Sequence, residues 1–303
     1  MRKKICLLLA VSALILLGAC GSSSTGAEVP AAKGGLGGGS KMTEIQPGSV
    51  YAGEISILEP EAAGVTVLTD DSYQLTIDAS NTSEGYIMVK CGGSDSRMKA
   101  RLTHGDEEYT YDLRTDGEYE VYPLQTGSGE YELTVFKNVE GTSYVKVYGT
   151  TITADMPDED RVFVYPSQYV WYTHEKNAVK LSYDLCEGLT DPAEKVQKIY
   201  DYLVWYLEYD NDKAANVKKG YIPDLDEILT VRKGICFDYS GLMAAMCRAQ
   251  GIPVRLVIGY VQPDGLYHAW NQAYYNGQWN WLDATFGPKS KVPESAYTQD
   301  RRY

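Results

Sequence analysis

Three side chains near the end of the sequence have the types and spacing of a nucleophile, a base and an orienting carboxylate. Cys236 stands at the predicted start of a helix, where unpaired N–H groups and the positive end of the helix dipole favour the thiolate. His268 and Asp283 lie on either side of Asn276-Gly277, a dipeptide typical of a two-residue hairpin turn. A thiolate, an imidazole and a carboxylate together can perform nucleophilic acyl transfer.

The predicted hairpin decides whether the histidine can reach the aspartate. If Asn276 and Gly277 alone form the turn, His268 and Asp283 are diagonal neighbours on one face, roughly 7–8 Å apart at the backbone. Any even loop length with the same centre gives this face, whereas an odd length moves Asp283 to the opposite face. A cysteine such as Cys236 that stands alone is more often a small buried hydrophobe, so the pairing with His268 and Asp283 favours catalysis.

The elements that must position these residues occur in blocks, which favours an α+β fold. The predicted elements are a helix from Pro192 capped by Asp191, a loop-rich stretch over 220–233, a helix from Cys236 to about Gln250, and strands over about 254–261, 267–275 and 278–286. Asp238 falls in the first turn of the second helix. Its charge would oppose a thiolate at Cys236, so a cationic partner is needed.

The region before these elements has a different sequence pattern. From about Val50 to Ala154, short runs of alternating apolar and polar residues are separated by turn clusters such as Asp116-Gly117. This period predicts an all-β sandwich of about seven or eight strands. Exposed tyrosines there could stack on sugar or peptide, but a spacer whose Tyr and Thr suit strands is the favoured interpretation.

The N-terminus predicts secretion and membrane anchoring. Three basic residues precede a short apolar run, as in a signal peptide. Leu17-Gly18-Ala19-Cys20 resembles the bacterial lipobox, which makes Cys20 the predicted site of lipid attachment. The Gly/Ser/Ala-rich stretch that follows is typical of a flexible tether. An ordinary signal peptide or an uncleaved anchor is the alternative. We therefore predict an extracytoplasmic protein, anchored to the bacterial cell membrane as a lipoprotein.

Charge and cysteine placement exclude several classes of protein. The net charge of −13 disfavours nucleic-acid binding. The even count of six cysteines does not predict disulfides, because Cys6 leaves with the signal peptide, Cys20 carries lipid and Cys236 is needed as a thiol. Cys247 lies about 16 Å from Cys236 along the same helix, and the remaining two, Cys91 and Cys186, are predicted as buried thiols. No zinc spacing, phosphate loop or EF-hand loop occurs, so no cofactor or metal is predicted.

Four segments resemble the transglutaminase-like superfamily, in order and in spacing. They are KGICFDYS (233–240), AQGIPVR (249–255), YHAWN (267–271) and WNWLDAT (279–285), within a similarity over about residues 190–287. Ala284 departs from the proline that the family often has. The resemblance implies a papain-like/transglutaminase-like fold in which Cys236 attacks an amide carbonyl, His268 carries the proton and Asp283 holds the imidazole. Tyr209 is a candidate to complete the oxyanion hole, although a core tyrosine is the favoured interpretation.

The sequence thus predicts four segments: a lipoprotein signal peptide (1–20), a tether (21–48), a β-sandwich domain (49–155) and a transglutaminase-like domain (156–303). The leading hypothesis is a cell-surface cysteine protease or peptide amidase that acts on protein or peptide, with cell-wall peptide as one candidate. A cross-linking transglutaminase and an inactive surface scaffold are the alternatives. Tryptophans at 270, 279 and 281 could line an acyl groove or merely pack across strands.

Overall fold

The structure is a computed structural model that describes residues 51–303. The predicted signal peptide (1–20), the lipid attachment at Cys20 and the tether (21–48) lie outside the described residues. Within 51–303, none of the helices is both long enough and apolar enough to cross a membrane.

The first half of the described chain consists of two four-stranded antiparallel sheets, as the alternating sequence predicts. Their orders are β1-β2-β3-β6 and β5-β4-β7-β8. Alternate residues such as Ile77 and Val89 in one sheet and Leu102 and Leu133 in the other are buried in a common core. The strands are β1 Val67–Asp70, β2 Leu75–Asp78, β3 Tyr86–Lys90, β4 Met98–His104, β5 Glu107–Leu113, β6 Glu120–Pro123, β7 Gly129–Glu140 and β8 Ser143–Ala154.

The second half is a helical layer against an antiparallel sheet of order β13-β12-β11-β14. Every residue of the central helix, α5, is buried. The elements are α1 Asn177–Leu185, α2 Pro192–Tyr206, β9 Glu208–Tyr209, α3 Asn211–Asn216, α4 Leu225–Val231, β10 Lys233–Gly234, α5 Cys236–Ala249, β11 Val254–Val261, β12 Leu266–Tyr275, β13 Gln278–Leu282 and β14 Tyr297–Arg302. Short 3₁₀ turns occupy Thr82–Glu84, Arg161–Val164 and Glu294–Ala296.

Local signals set the helix ends as predicted. The Asp191 side chain accepts a hydrogen bond from the Ala193 N–H and caps α2. Helix α5 begins at Cys236 and is followed by Gly251, whose φ of 73° is the left-handed conformation that glycine adopts readily. Several elements differ from the prediction: α4 lies within the stretch 220–233 expected to be loop-rich, and α3, the short pair β9 and β10, and β14 were not expected.

The hairpin between β12 and β13 has the predicted register. Asn276 and Gly277 have φ values of 54° and 75°, as a two-residue type I′ turn requires, and Tyr275 pairs with Gln278. The predicted end of the second strand was wrong, because β13 ends at Leu282 rather than at residue 286. The Asp283 carboxylate accepts hydrogen bonds from the next two available N–H groups, at residues 285 and 286, and this turn ends the extended strand.

The two halves share one continuous core. Tyr303, which follows β14, makes edge contacts with Tyr109 and Tyr111 of β5, at ring-centroid distances of 5.5 and 6.4 Å. The Gln168 side chain both accepts from the Asp112 N–H and donates to the Asp112 carbonyl. The strand-rich region therefore packs directly against the end of the sheet that contains His268.

Candidate active site

Cys236 occupies the predicted position at the first turn of α5. The preceding residue, Ile235, is extended (φ −92°, ψ 173°), so the helix begins abruptly at the cysteine. The Cys236 side chain is not in a disulfide, and the residue is 7% exposed. Its backbone N–H belongs to the first turn, where helix N–H groups lack intrahelical acceptors and the dipole favours negative charge.

His268 and Asp283 meet as the hairpin register predicts. The His268 Nε2 lies 2.8 Å from Asp283 Oδ2, and the two residues are 3% and 2% exposed. This hydrogen bond engages Nε2 and leaves Nδ1 as the ring nitrogen that can take a proton from a thiol. The side-chain periodicity of two places both residues on one face although the ladder itself ends at Leu282.

Asp283 is held by four hydrogen bonds. Oδ2 accepts from His268 and from the Tyr297 hydroxyl at 2.8 Å, while Oδ1 accepts from the N–H groups of Thr285 and Phe286 at 2.9 and 3.1 Å. Burial by itself would raise the pKa of this carboxyl, but the charge and hydrogen bond of His268, with the other donors, bring the pKa below its ordinary value. Asp283 is therefore ionised and rigid, as an orienting carboxylate must be.

The His268 ring is fixed between aromatic rings. Phe286 stacks on it at a centroid distance of 4.5 Å and an interplanar angle of 9°, and Trp270 lies parallel at 6.4 Å. A cavity of about 630 Å³ is lined in part by Trp270, Trp281 and Tyr297, which neighbour the His268–Asp283 pair, while His268 and Asp283 themselves do not line it. The predicted role of Trp270 and Trp281 as groove residues is compatible with this position.

Trp279 has a different environment from the two other tryptophans. Its ring contacts Phe163 edge-on at 5.6 Å, and the Arg255 guanidinium lies 3.6 Å from its centroid. This tryptophan packs β13 against the segment before α1, so cross-strand and interlayer packing explains its presence.

Asn271 joins the cysteine helix to the histidine strand. Its Nδ2 donates to the Ser240 carbonyl of α5 at 3.0 Å and lies 3.3 Å from the Arg255 carbonyl of β11. Because Ser240 is one turn beyond Cys236 and Asn271 three residues beyond His268, this buried amide fixes the packing of α5 on β12. Burial, followed by the charges of Asp300, Tyr260 and Cys236, raises the pKa of Tyr267, the neighbour of His268.

Asp238 has the cationic partner that its position demands. The side chain is fully buried, and its Oδ2 lies 2.6 Å from Lys213 Nζ of α3. Oδ1 accepts from the Tyr221 hydroxyl at 2.7 Å, and Oδ2 also accepts from the Ile235 N–H at 2.9 Å. A charged network therefore surrounds the residue two positions after Cys236.

Tyr209 lies beside the cysteine segment but its role stays a prediction. The short parallel pair of β9 and β10 matches Tyr209 with Gly234, two residues before Cys236. The N–H of Asp210 donates to the Gly234 carbonyl at 3.0 Å. Tyr209 is half-buried and packs against the core, so the core interpretation and the oxyanion interpretation are both compatible with its position.

The other cysteines are chemically unlike a nucleophile. Cys91, Cys186 and Cys247 are buried thiols without disulfides. Burial raises the pKa of all three, to about 11 for Cys186. Among residues 51–303, no group of three or more His, Cys, Asp and Glu side chains is arranged to hold a metal ion.

Comparison with known proteins identifies the second half of the chain. Residues 179–284 match the model of the family described as the transglutaminase-like superfamily. The chain contains a transglutaminase-like domain. All three predicted catalytic residues, Cys236, His268 and Asp283, lie in the matched segment of this domain.

Individual relatives of the transglutaminase-like domain are distant. The human protein named Kyphoscoliosis peptidase is 28% identical over 147 residues, covering 45% of this chain and 22% of that protein. Its mouse namesake is 31% identical over 114 residues, covering 34% and 17%. The chain thus spans about a fifth of the length of these relatives. A solved structure of a Cytophaga hutchinsonii protein, provisionally described as a cysteine protease, is 20% identical with a TM-score of 0.41, covering 72% of this chain and 83% of that one.

Proposed function

We propose that this protein is a thiol acyl hydrolase of transglutaminase-like type, a cysteine peptidase or peptide amidase that works at the cell surface. The observation that carries the proposal is the buried pair of His268 and Asp283, 2.8 Å apart, on the strand that packs against the helix headed by Cys236. An imidazole held through Nε2 by an ionised carboxylate is suited to act as a general base.

The proposed reaction needs no group beyond these side chains and water. His268 Nδ1 takes the proton of the Cys236 thiol, and the thiolate forms a bond to the amide carbonyl carbon. The C–N bond then breaks, and the departing amine takes the proton from the imidazolium. Water, deprotonated by His268, attacks the resulting thioester, which releases a carboxylic acid and restores the thiol.

The negative oxygen of the tetrahedral intermediates needs hydrogen-bond donors. The Cys236 N–H at the start of α5 is one candidate. The Tyr209 hydroxyl is proposed as the second, because β9 and β10 hold Tyr209 next to Gly234. Tyr209→Phe tests the second donor: an oxyanion role predicts a lower kcat with an unchanged KM, whereas a core role predicts unchanged kinetics.

Hydrolysis is favoured over cross-linking because the named curated relatives are called peptidases. The deciding experiment incubates the protein with casein and a labelled primary amine. New N-termini or released ammonia without label uptake would support hydrolysis by a peptidase or an amidase, whereas label uptake would support transfer to an amine. Cys236→Ala is the control for both readouts, and absence of both activities in the wild type would favour the inactive scaffold.

Reactivity of the thiol gives an independent test of the enzyme hypothesis. Iodoacetamide should alkylate Cys236 near neutral pH faster than Cys91, Cys186 or Cys247, whose pKa values burial raises. His268→Ala should slow the labelling of Cys236 alone. Equal labelling of Cys91 and Cys236 in the folded protein would contradict an activated thiol.

The proposed location is the outer face of the bacterial cell membrane, with a lipid on Cys20 and with extracellular protein or peptide, including cell-wall peptide, as substrate. The lipobox-like LGAC sequence carries this part of the proposal. The net charge of −13 argues against a nucleic-acid partner. Metabolic labelling with a fatty acid should mark the wild type and not Cys20→Ala, and equal labelling of the two would refute the assignment.

A further inference from the structure

The start of α5 is built around a buried carboxylate. Asp238 is fully buried in the first turn, and its Oδ2 accepts from the N–H of Ile235, the residue directly before Cys236. A β-carbon on Gly234 would lie 2.7 Å from the Asp238 Cβ, so the absence of a side chain at Gly234 permits this close approach. The carboxylate thus holds the backbone that presents the cysteine.

A carboxylate at this position acts on the thiol in two opposing ways. It caps the helix and satisfies an N–H group, which stabilises the turn. Its negative charge, two residues from Cys236, also disfavours a thiolate at that site. Without a counter-charge, the second effect would cancel the advantage of the helix N-terminus.

Lys213 and Tyr221 supply the compensation. Lys213 Nζ lies 2.6 Å from Asp238 Oδ2 and 2.6 Å from the Tyr221 hydroxyl, which in turn donates to Asp238 Oδ1. The Lys213 side chain is 27% exposed whereas Asp238 is 0% exposed, so the pair reaches from solvent to the helix turn. Lys213 also donates its backbone N–H to Asp210, next to the candidate oxyanion residue Tyr209.

We propose that Lys213 is a positioning residue for Cys236: by neutralising Asp238, it keeps the first turn of α5 electropositive and the thiol acidic. The inference rests on the proposed role of Cys236 as nucleophile. Other titratable groups also act on this network and are unchanged in the Lys213 variants. They are Tyr239 on α5, Glu208 on β9, Asp224 and Glu227 at the N-terminus of α4, and Tyr267 and the His268–Asp283 pair on the side of β12.

The test is the pH dependence of Cys236 alkylation by iodoacetamide, with the site located by peptide mass spectrometry. In Lys213→Met, the apparent thiol pKa should rise by about one unit, so the rate near pH 6.5 falls about tenfold while the alkaline plateau is preserved. Lys213→Arg should behave as the wild type. Lys99→Met is the matched control, since Lys99 pairs with Asp112 at 2.9 Å with a similar exposure of 26% in the strand-rich region.

Two further variants separate a charge effect from a structural one. Asp238→Asn leaves Lys213 unopposed and should lower the apparent pKa, and Lys213→Met/Asp238→Asn should restore the wild-type rate to within about threefold. The proposal is overturned if Lys213→Met slows alkylation equally at every pH, or if Asp238→Asn raises the apparent pKa. These variants remain informative if Lys213→Met folds poorly, because neither leaves a buried unpaired carboxylate.

The pH profile of Cys236 alkylation can be interpreted whatever the result of the casein assay. A wild type that shows these pH profiles but does not act on casein would refute the proposed function and leave the role of Lys213 intact. An active enzyme with an unshifted profile in Lys213→Met would refute the role of Lys213 alone. Failure of the wild-type Cys236 to react at any pH would count against both.

Discussion

The strand-rich region and the transglutaminase-like domain bury charged groups in different ways. Among the residues that the structure describes before residue 155, Asp78 is the buried charged one, and backbone N–H groups of neighbouring turns satisfy its carboxylate. The domain buries Asp238, Arg248, His268 and Asp283, at 0–3% exposure. Each of them has at least one partner from a separate element of the chain.

The difference shows which buried charges indicate chemistry. Arg248 donates to the backbone carbonyls of Tyr165, Val254 and Tyr303, so this guanidinium joins segments and faces no titratable partner at hydrogen-bond distance. His268 and Asp283 bond to each other. Apolar residues of similar size could fill the same space without loss of stability, so packing alone does not explain this buried pair. A buried charged residue that bonds to another titratable side chain is thus better evidence for a catalytic role than burial alone.

The largest expected effect is on the rate of hydrolysis, in a comparison of two histidines, one from each region. His268→Ala removes the proposed base and should lower peptide hydrolysis by about 10⁶-fold. His104→Ala in the strand-rich region removes a 2.9 Å hydrogen bond to Thr126 and the stacking on Tyr131 at 4.5 Å, and should change the rate less than about twofold. Steady-state kinetics on a casein-derived peptide measure both. Comparable losses in the two variants would remove the contrast between the regions.

The next largest effect compares two buried aspartates. Asp283→Asn keeps the shape but loses the charge that holds and stabilises the protonated His268, so kcat/KM should fall about 10⁴-fold. Asp78→Asn should lower the thermal midpoint and leave kcat/KM within about twofold, because its partners are backbone groups of a turn. A rate loss in Asp78→Asn at a temperature where it is fully folded would contradict this division.

A smaller effect is expected at Tyr297. Tyr297→Phe removes one of the four hydrogen bonds to Asp283 and should lower kcat/KM about fivefold, with a destabilisation of about 1 kcal/mol. Tyr303→Phe is the control from the same end of the chain. An unchanged rate in Tyr297→Phe would mean that the remaining donors alone orient the carboxylate.

The smallest expected effect concerns the pH dependence of stability. The folded pKa of Asp283 lies below that of an unfolded aspartate, about 3.9. Its stabilising contribution is therefore fully present above that pH and is lost as the pH falls through the folded value. Urea unfolding at pH 5, 4 and 3 should show the stability difference between wild type and Asp283→Asn narrowing with acidity. A difference that widens would contradict the direction of the shift.

Much of the proposed site follows from local rules. Asn276-Gly277 predicts a two-residue turn because both residues tolerate positive φ, and that turn places His268 and Asp283 on one face. Several supporting residues were missed, among them Asn271, Lys213, Tyr221 and Tyr297. Asn271 lies in the YHAWN segment, but its hydrogen-bond partner Ser240 is 31 positions away in the sequence. Lys213 and Tyr221 lie 25 and 17 positions from Asp238. The sequence did signal that Asp238 needs a cation, but not which one.

Strand β14 shows the limit of local patterns. Residues 299–302, Gln-Asp-Arg-Arg, have no apolar alternation, so no strand is predicted there. Their backbone pairs with β11, while Arg301 donates to the Glu108 carbonyl and Arg302 lies 3.4 Å from the Gln125 carbonyl, both in the strand-rich region. The polar side chains serve a contact between the two halves, which only the folded chain creates.

The sequence by itself determined the start of α5 at Cys236, the two-residue turn and hence the shared face of His268 and Asp283. These features depend on backbone conformations that a few neighbouring residues impose. Only the tertiary structure decided that Tyr297 would donate to Asp283 and Lys213 to Asp238. Such contacts form when separate elements pack, and a side chain's own neighbours in sequence do not specify its partner in space.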